Sequence, residues 1–373
     1  MLTKRNFRLY CLRFFLSLFI GIPYLCPAQV STQPGGPLQN FSVGTRFLYG
    51  SFITPSPKLE YVRDSYTSLK EVYIQYQLKG NKSWHNSHKN PQWGISYLSG
   101  NTGSRAFIGK MNAVYTFLNL PLIQSKRYTG SFRFGAGPGW VSKPYNINTN
   151  PKNTIIGTRL NAFIHLMFQH EFKLSPRLFL NANIGLMHLS NGGTILPNLG
   201  LNIPALSTGI RYAFSTSITD TITRRKRFPQ KISYSFHTTA GIKQWPWIGS
   251  GKYLINTLQV EGAKHLNENN TAGAGAVFFY DRTLSKYSSE AESAPPHDKQ
   301  LQVGLFAYWE HSFARLSFPM QAGVYIYNRY KSPALFQQVG VRYRFTDHLS
   351  AVMFLKTHMG RADFIHAGIG YHL

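Results

Sequence analysis

Residues 178–186 read LFLNANIGL, and the alternation in this stretch decides the fold. Leu178, Leu180, Ala182, Ile184 and Leu186 make one row, with Phe179, Asn181, Asn183 and Gly185 between them. A strand turns successive side chains to opposite faces, so one face here is apolar and the other carries amides and glycine. Soluble sandwiches alternate as well, but their strands average about five or six residues. The alternating segments of this chain run to roughly 10–14 residues, which suits strands that cross a membrane at a tilt.

Moving outward from that stretch, the same period predicts strands near 42–53, 69–79, 91–98, 105–118, 129–140, 158–171, 177–190 and 202–213. A second set falls near 232–243, 251–264, 270–281, 300–314, 319–328, 335–345, 349–358 and 362–373. In the second half every other link is short: Asn267-Glu268-Asn269, Leu316-Ser317-Phe318 and Thr346-Asp347-His348. The long link 282–299 falls on the opposite side, as expected where short periplasmic turns face long external loops. In the last strand Ile365, Ala367, Ile369, Tyr371 and Leu373 share one face, and His366, Gly368, Gly370 and His372 the other. The expectation is an all-β, antiparallel transmembrane β-barrel of the bacterial outer membrane with about 16 strands. The alternative is an eight-stranded barrel followed by a second β unit.

Composition agrees. The chain of 373 residues is 43% hydrophobic and 15% aromatic but only 14% charged, with 32 glycines. That is too apolar for disorder, and too rich in glycine and aromatics for a helical coiled coil. Beyond the N-terminus no apolar run reaches the roughly 18 residues of a membrane helix.

Residues 1–28 read as a signal peptide. Lys4, Arg5, Arg8 and Arg13 precede the apolar run FFLSLFIGIPYL at 14–25, and Cys26-Pro27-Ala28 offers a cleavage site before Gln29. Cleavage there removes Cys11 and Cys26, so the mature chain has no disulfide, thiolate metal site or cysteine nucleophile. It also leaves 36 basic against 14 acidic residues, a formal charge of +22. Residues 29–213 and 232–373 then hold the two sets of strands. Between them, 214–231 is a basic turn or linker containing Arg224, Arg225, Lys226 and Arg227. In an exported barrel such a cluster reads as a solvated turn, so no nucleic-acid partner is expected.

Residues 188–202 read HLSNGGTILPNLGLN. His188 and Ser190 lie two apart on a strand and share a face, the spacing at which an imidazole can take a hydroxyl proton. They extend the lipid-facing row at its upper end, a poor place for anchoring and a sensible one for attacking an ester in a membrane lipid. Asn202 can approach His188 across the hairpin. Asn191 and the N–H of Gly193 offer donors for an oxyanion, although Asn-Gly-Gly is also ordinary turn sequence.

This stretch resembles the signature of outer-membrane lipid A 3-O-deacylases, the PagL-type family. The resemblance implies an eight-stranded barrel with a serine–histidine–acid triad facing the membrane. It assigns the general base to His188, the nucleophile to Ser190, the oxyanion hole to Asn191 and Gly193, and a loop to Pro197, Asn198 and Gly200. The family's glutamate falls on Asn202, a departure: an amide can fix the histidine tautomer but adds no charge. Glu171 lies at the far end of the sheet, and Glu60 and Asp64 fall in an expected external loop. The implied activity is a serine esterase that removes a 3-O-acyl chain from lipid A of lipopolysaccharide. Lipid A and outer-membrane lipid are the implied partners, a second copy of the chain is allowed as a homodimer, and no cofactor is needed. The alternatives are a non-enzymatic channel, transporter or structural barrel, and an esterase acting on phospholipid. No metal is expected. His85 and His88 in Trp84-His85-Asn86-Ser87-His88 read as a solvated turn, with no carboxylate close in sequence.

Overall fold

A computed structural model of the chain describes residues 38–79, 83–215, 232–244, 247–287, 300–329 and 333–373. The expected signal peptide at 1–28, the basic cluster at 224–227 and most of the link 282–299 lie outside the described residues.

Strands β1 (Phe41–Gly50), β2 (Thr67–Gln77), β3 (Gln92–Asn101), β4 (Lys110–Gln124), β5 (Tyr128–Val141), β6 (Leu160–Lys173), β7 (Leu178–Ser190) and β8 (Leu201–Ala213) form one closed antiparallel barrel. It shuts by pairing β1 with β8, from Ser42 opposite Ala213 to Gly50 opposite Ala205. Strands β9 (Ile232–Gln244), β10 (Lys252–His265), β11 (Asn270–Asp281), β12 (Leu301–Phe313), β13 (Leu316–Asn328), β14 (Leu335–Arg344), β15 (Leu349–His358) and β16 (Arg361–His372) form a second. It closes through β9 and β16, with Ala367 opposite Ala240. The sixteen strands therefore form two eight-stranded barrels, the second of the two arrangements that the sequence allows. One link moves: the turn expected at Leu316-Ser317-Phe318 is made by Ala314 and Arg315, where Ala314 takes a φ of 55°.

The alternation is realised in three dimensions. Leu180, Ile184 and Leu186 of β7 and Leu206, Ile210 and Tyr212 of β8 are exposed on the outside, while Asn181 and Asn183 are buried in the lumen. In water such a row would be a liability, whereas against hydrocarbon it is the stable arrangement.

Eight strands enclose only enough room for side chains, and the two halves of the first lumen are filled differently. Toward the ends where β1 starts and β8 finishes, Glu71 accepts from Arg46 at 3.1 Å and Arg133 at 3.2 Å, with Ser96 at 2.6 Å. Arg211 pairs with Glu171 nearby at 2.5 Å. Toward the opposite end the filling is apolar, with Leu48, Leu69, Leu98, Met111, Met187 and Leu201 all buried. The second lumen follows the same logic. Arg342 sits between Glu261 at 2.7 Å and Glu310 at 2.6 Å, and Lys243 between Asp281 at 3.0 Å and Asp363 at 2.6 Å.

The stretch around Trp84 differs from its sequence reading. Ser83–Ser87 forms a short helix, α1, held against the second barrel. The Nε2 atoms of His88 and His311 lie 2.8 Å apart, Asn269 donates to Ser87 Oγ at 2.8 Å, and Trp84 meets Phe313 edge-on. A surface to pack on turns an otherwise unremarkable polar segment into a seated helix. Phe134 of β5 and Phe318 of β13 also meet, with ring centroids 5.2 Å apart.

Candidate active site

The ladder between β7 and β8 places Asn202 directly opposite His188. The Asn202 Oδ1 lies 2.7 Å from His188 Nδ1, and Ser190 Oγ lies 3.0 Å from His188 Nε2. An amide oxygen can only accept, so Nδ1 carries the hydrogen and donates it. That leaves Nε2 with a lone pair, which accepts from the Ser190 hydroxyl. The three side chains expected from the sequence are thus brought together in one line, on the outer side of the sheet. Their inward neighbours Met187, Leu189, Leu201 and Ile203 are fully buried and form an apolar floor.

Local sequence explains the close fit. Gly200 has a φ of +78°, and a Cβ on it would stand 2.8 Å from His188 Cε1. Only glycine tolerates both the left-handed backbone and the imidazole against it. Asn202 is held in turn by its carbonyl, which accepts from Ile53 N–H at 2.8 Å. Ser190 is itself only 5% exposed.

The turn after the serine is built differently from the expectation of two open donors. Asn191 Nδ2 donates to Ile195 O at 2.8 Å and to Thr158 Oγ1 at 3.2 Å, and Asn191 Oδ1 accepts from Gly193 N–H at 3.0 Å. Asn191 and Gly193 are therefore both at the turn but bonded to each other. The N–H of Gly192, between them, has no acceptor among the described residues. Asn198 Oδ1 accepts from Asn191 N–H at 3.0 Å, and Leu199 N–H donates to Ile155 O at 3.0 Å, so the β7–β8 loop is also sewn to the loop before β6.

Among the described residues no carboxylate replaces the missing acid. Glu60 is paired with Arg63 at 2.6 Å, and Asp64 accepts from Arg105 N–H at 2.8 Å and Ala106 N–H at 2.7 Å. Backbone donors hold the Asp64 carboxyl below its usual range, although burial alone pushes it up. Glu171 is bound to Arg211 at the far end of the lumen. Among the described residues no group of three His, Cys, Asp or Glu could hold a metal ion.

Sequence reasoning missed Thr158 and Gln244. Gln244, from the second barrel, accepts from Leu196 N–H at 2.8 Å and donates its own N–H to Gly193 O at 3.1 Å. No local motif flags a residue brought in from a different barrel.

The sequence model of the lipid A 3-O-deacylase (PagL) family matches residues 70–211, and that of the acyloxyacyl hydrolase C-terminal domain matches residues 232–373. The chain belongs to the lipid A 3-O-deacylase family. It is accordingly an ester hydrolase of the outer membrane. The family's first match contains the whole His188–Asn202 stretch, and the second coincides with β9–β16. No curated protein matches the chain. Solved structures similar to it include Neisserial surface protein A (NspA), 9% identical with a TM-score of 0.32, where 47% of this chain covers 97% of that one. A Rh. blastica porin variant is 8% identical with a TM-score of 0.17, with 89% of this chain and 99% of the porin covered.

Proposed function

We propose that this deacylase is a serine esterase that removes the 3-O-linked acyl chain of lipid A through Ser190, His188 and Asn202. The observation that carries the reading is the hydrogen-bonded line Asn202–His188–Ser190 on the lipid side of β7 and β8. Ser190 Oγ attacks the ester carbonyl carbon while its proton passes to His188 Nε2. The tetrahedral intermediate then expels the sugar hydroxyl, which takes that proton back. Water, deprotonated by His188, attacks the acyl-enzyme carbonyl, and the C–Oγ bond breaks to release the fatty acid as His188 returns the proton to Ser190 Oγ. Asn202 keeps Nδ1 protonated, so that Nε2 stays available. The Asn191–Gly193 turn receives the oxyanion. Gly192 N–H is ready for it, and Gly193 N–H joins by leaving Asn191 Oδ1. Each chain carries the complete set, so the reaction needs no second copy.

Charge favours a phosphorylated lipid as substrate. Lys58, Arg63, Arg105, Lys110, Lys143 and Arg159 are exposed around the end of the barrel that holds the site, and such side chains pair well with phosphate. The lumen arginines are already bound to Glu71 and Glu171 and contribute little to this rim. A channel or transporter reading is opposed by the apolar filling beneath the site.

The test compares lipid A by mass spectrometry from cells making the wild type and cells making Ser190→Ala. Loss of one hydroxyacyl mass with the wild type alone is expected. Equal spectra, with both chains folded in the outer membrane and phospholipid shortened instead, would point to the phospholipid esterase.

A further inference from the structure

Three residues of the second barrel, Gln244, Asp363 and Ile365, shape the loop that carries the Asn191–Gly193 turn. Gln244, at the end of β9, is 8% exposed. Its Oε1 accepts from Leu196 N–H at 2.8 Å, its backbone N–H donates to Gly193 O at 3.1 Å, and its Nε2 donates to Ser250 O at 2.8 Å. The last bond fixes which way the amide faces and keeps the oxygen on Leu196. The turn also lies flat on β16. A Cβ on Gly193 would stand 2.5 Å from Asp363 O, and one on Gly192 would stand 2.3 Å from Ile365 Cδ1. Asp363 is itself held by Lys243 at 2.6 Å and Lys356 at 3.3 Å, so the surface under the turn is tied to the second lumen. The first barrel grips the same turn from the other side through Thr158 and Asn198.

We propose that Gln244 is a positioning residue for the reaction: the second barrel braces the oxyanion turn of the first. The inference rests on the serine esterase reading above. Gln244 touches no reacting atom. It acts by holding the backbone of Gly193 and Leu196, and through them the donors that meet the oxyanion. That interaction is made only as charge develops, so loosening it lowers kcat and leaves KM in place. A misplacement of about 1 Å is worth about a hundredfold in rate.

The full-length chain is assayed on lipid A in detergent micelles, as the wild type, Gln244→Met, Gln244→Glu and Ser190→Ala. Methionine keeps the length and volume of glutamine without its strong acceptor, and glutamate keeps the acceptor. Rates are taken per folded barrel, from the heat-modifiable fraction on gels. The expected result for Gln244→Met is a kcat lower by about ten- to a hundredfold with KM unchanged. Gln244→Glu keeps the acceptor for Leu196 but loses the donor to Ser250 O, so its kcat is expected to fall between the wild type and Gln244→Met. Should the Met chain not fold, Gln244→Asn carries the test, because its shorter amide cannot reach Leu196. Wild-type kcat in Gln244→Met, a change confined to KM, or an equal loss in Gln244→Glu would each overturn the brace. Full activity in Ser190→Ala would instead overturn the esterase reading, so the two failures are told apart.

Discussion

Asn202 faces His188 across the β7–β8 ladder, with its amide oxygen 2.7 Å from the imidazole Nδ1. That amide orients the ring, and among the described residues no carboxylate shares the task. Asn202→Leu removes the acceptor and frees the imidazole to adopt the other tautomer. The expected loss in kcat is at least about a hundredfold, since a wrong tautomer behind a serine nucleophile costs up to about 10⁴. Asn202→Asp keeps the acceptor and adds charge against the imidazolium, so its kcat is expected to equal or exceed the wild type. A dead Asp variant beside a live Leu variant would sink this role.

Gly200 lies against that ring. Gly200→Ala sets a methyl against His188 Cε1 at a φ of +78°. The left-handed backbone costs about 1–2 kcal/mol, and the displaced imidazole costs about a hundredfold in kcat. Thermal unfolding and steady-state rates on one preparation measure the two effects separately.

Within the first lumen, Glu71 holds two arginines that are themselves fully buried. Glu71→Gln leaves both charges without a counter-ion and should destabilise the barrel by about 3–5 kcal/mol. Adding Arg133→Met is expected to recover part of that loss. The urea midpoint of the gel-mobility shift reports both, and an unchanged midpoint in the single variant would refute the account.

His88 lies in the link between β2 and β3, beyond the strands. Burial holds its imidazole below the usual range, although the Trp84 carbonyl on Nδ1 pulls the other way. A base with a lowered folded pKa binds fewer protons folded than unfolded. Its contribution is therefore complete above the ordinary value of 6.5 and fades as pH falls below it. Hydrogen exchange at residues 83–90, corrected for intrinsic rate, should speed up between about pH 7 and pH 5. In His88→Gln that acceleration should vanish. Equal protection at both pH values in the wild type would contradict it.

Much of this structure can be read from the chain. The row Leu180, Ile184 and Leu186 specifies a face because strand period is local, and the pairing of His188 with Asn202 follows from one hairpin. Closure is another matter. Whether β8 pairs with β1 or with β9 depends on partners far apart in sequence, and both choices present the same alternation. For the same reason the period does not say that Glu71 serves Arg46 and Arg133, or that Gln244 reaches Leu196. Helix α1 is hidden for a different cause: its order comes from Phe313 and His311, not from its own five residues. The bond between Asn191 and Gly193 is likewise beyond a motif, which names residue types and not their partners.

The two barrels touch through Phe134 and Phe318, and again where the turn at Gly193 meets Gln244. A single cylinder in a membrane is convex on every side, and each lipid around it has one protein wall and a bilayer to leave into. Two cylinders side by side leave a wedge along the seam, where a hydrocarbon chain has protein to its left and right. Ser190 lies two residues before that seam, where Gly192 and Gly193 abut Ile365 and Asp363 of β16. Under the proposed mechanism, a lipid that entered this seam from the membrane would meet Ser190 with a wall of each barrel beside its chains.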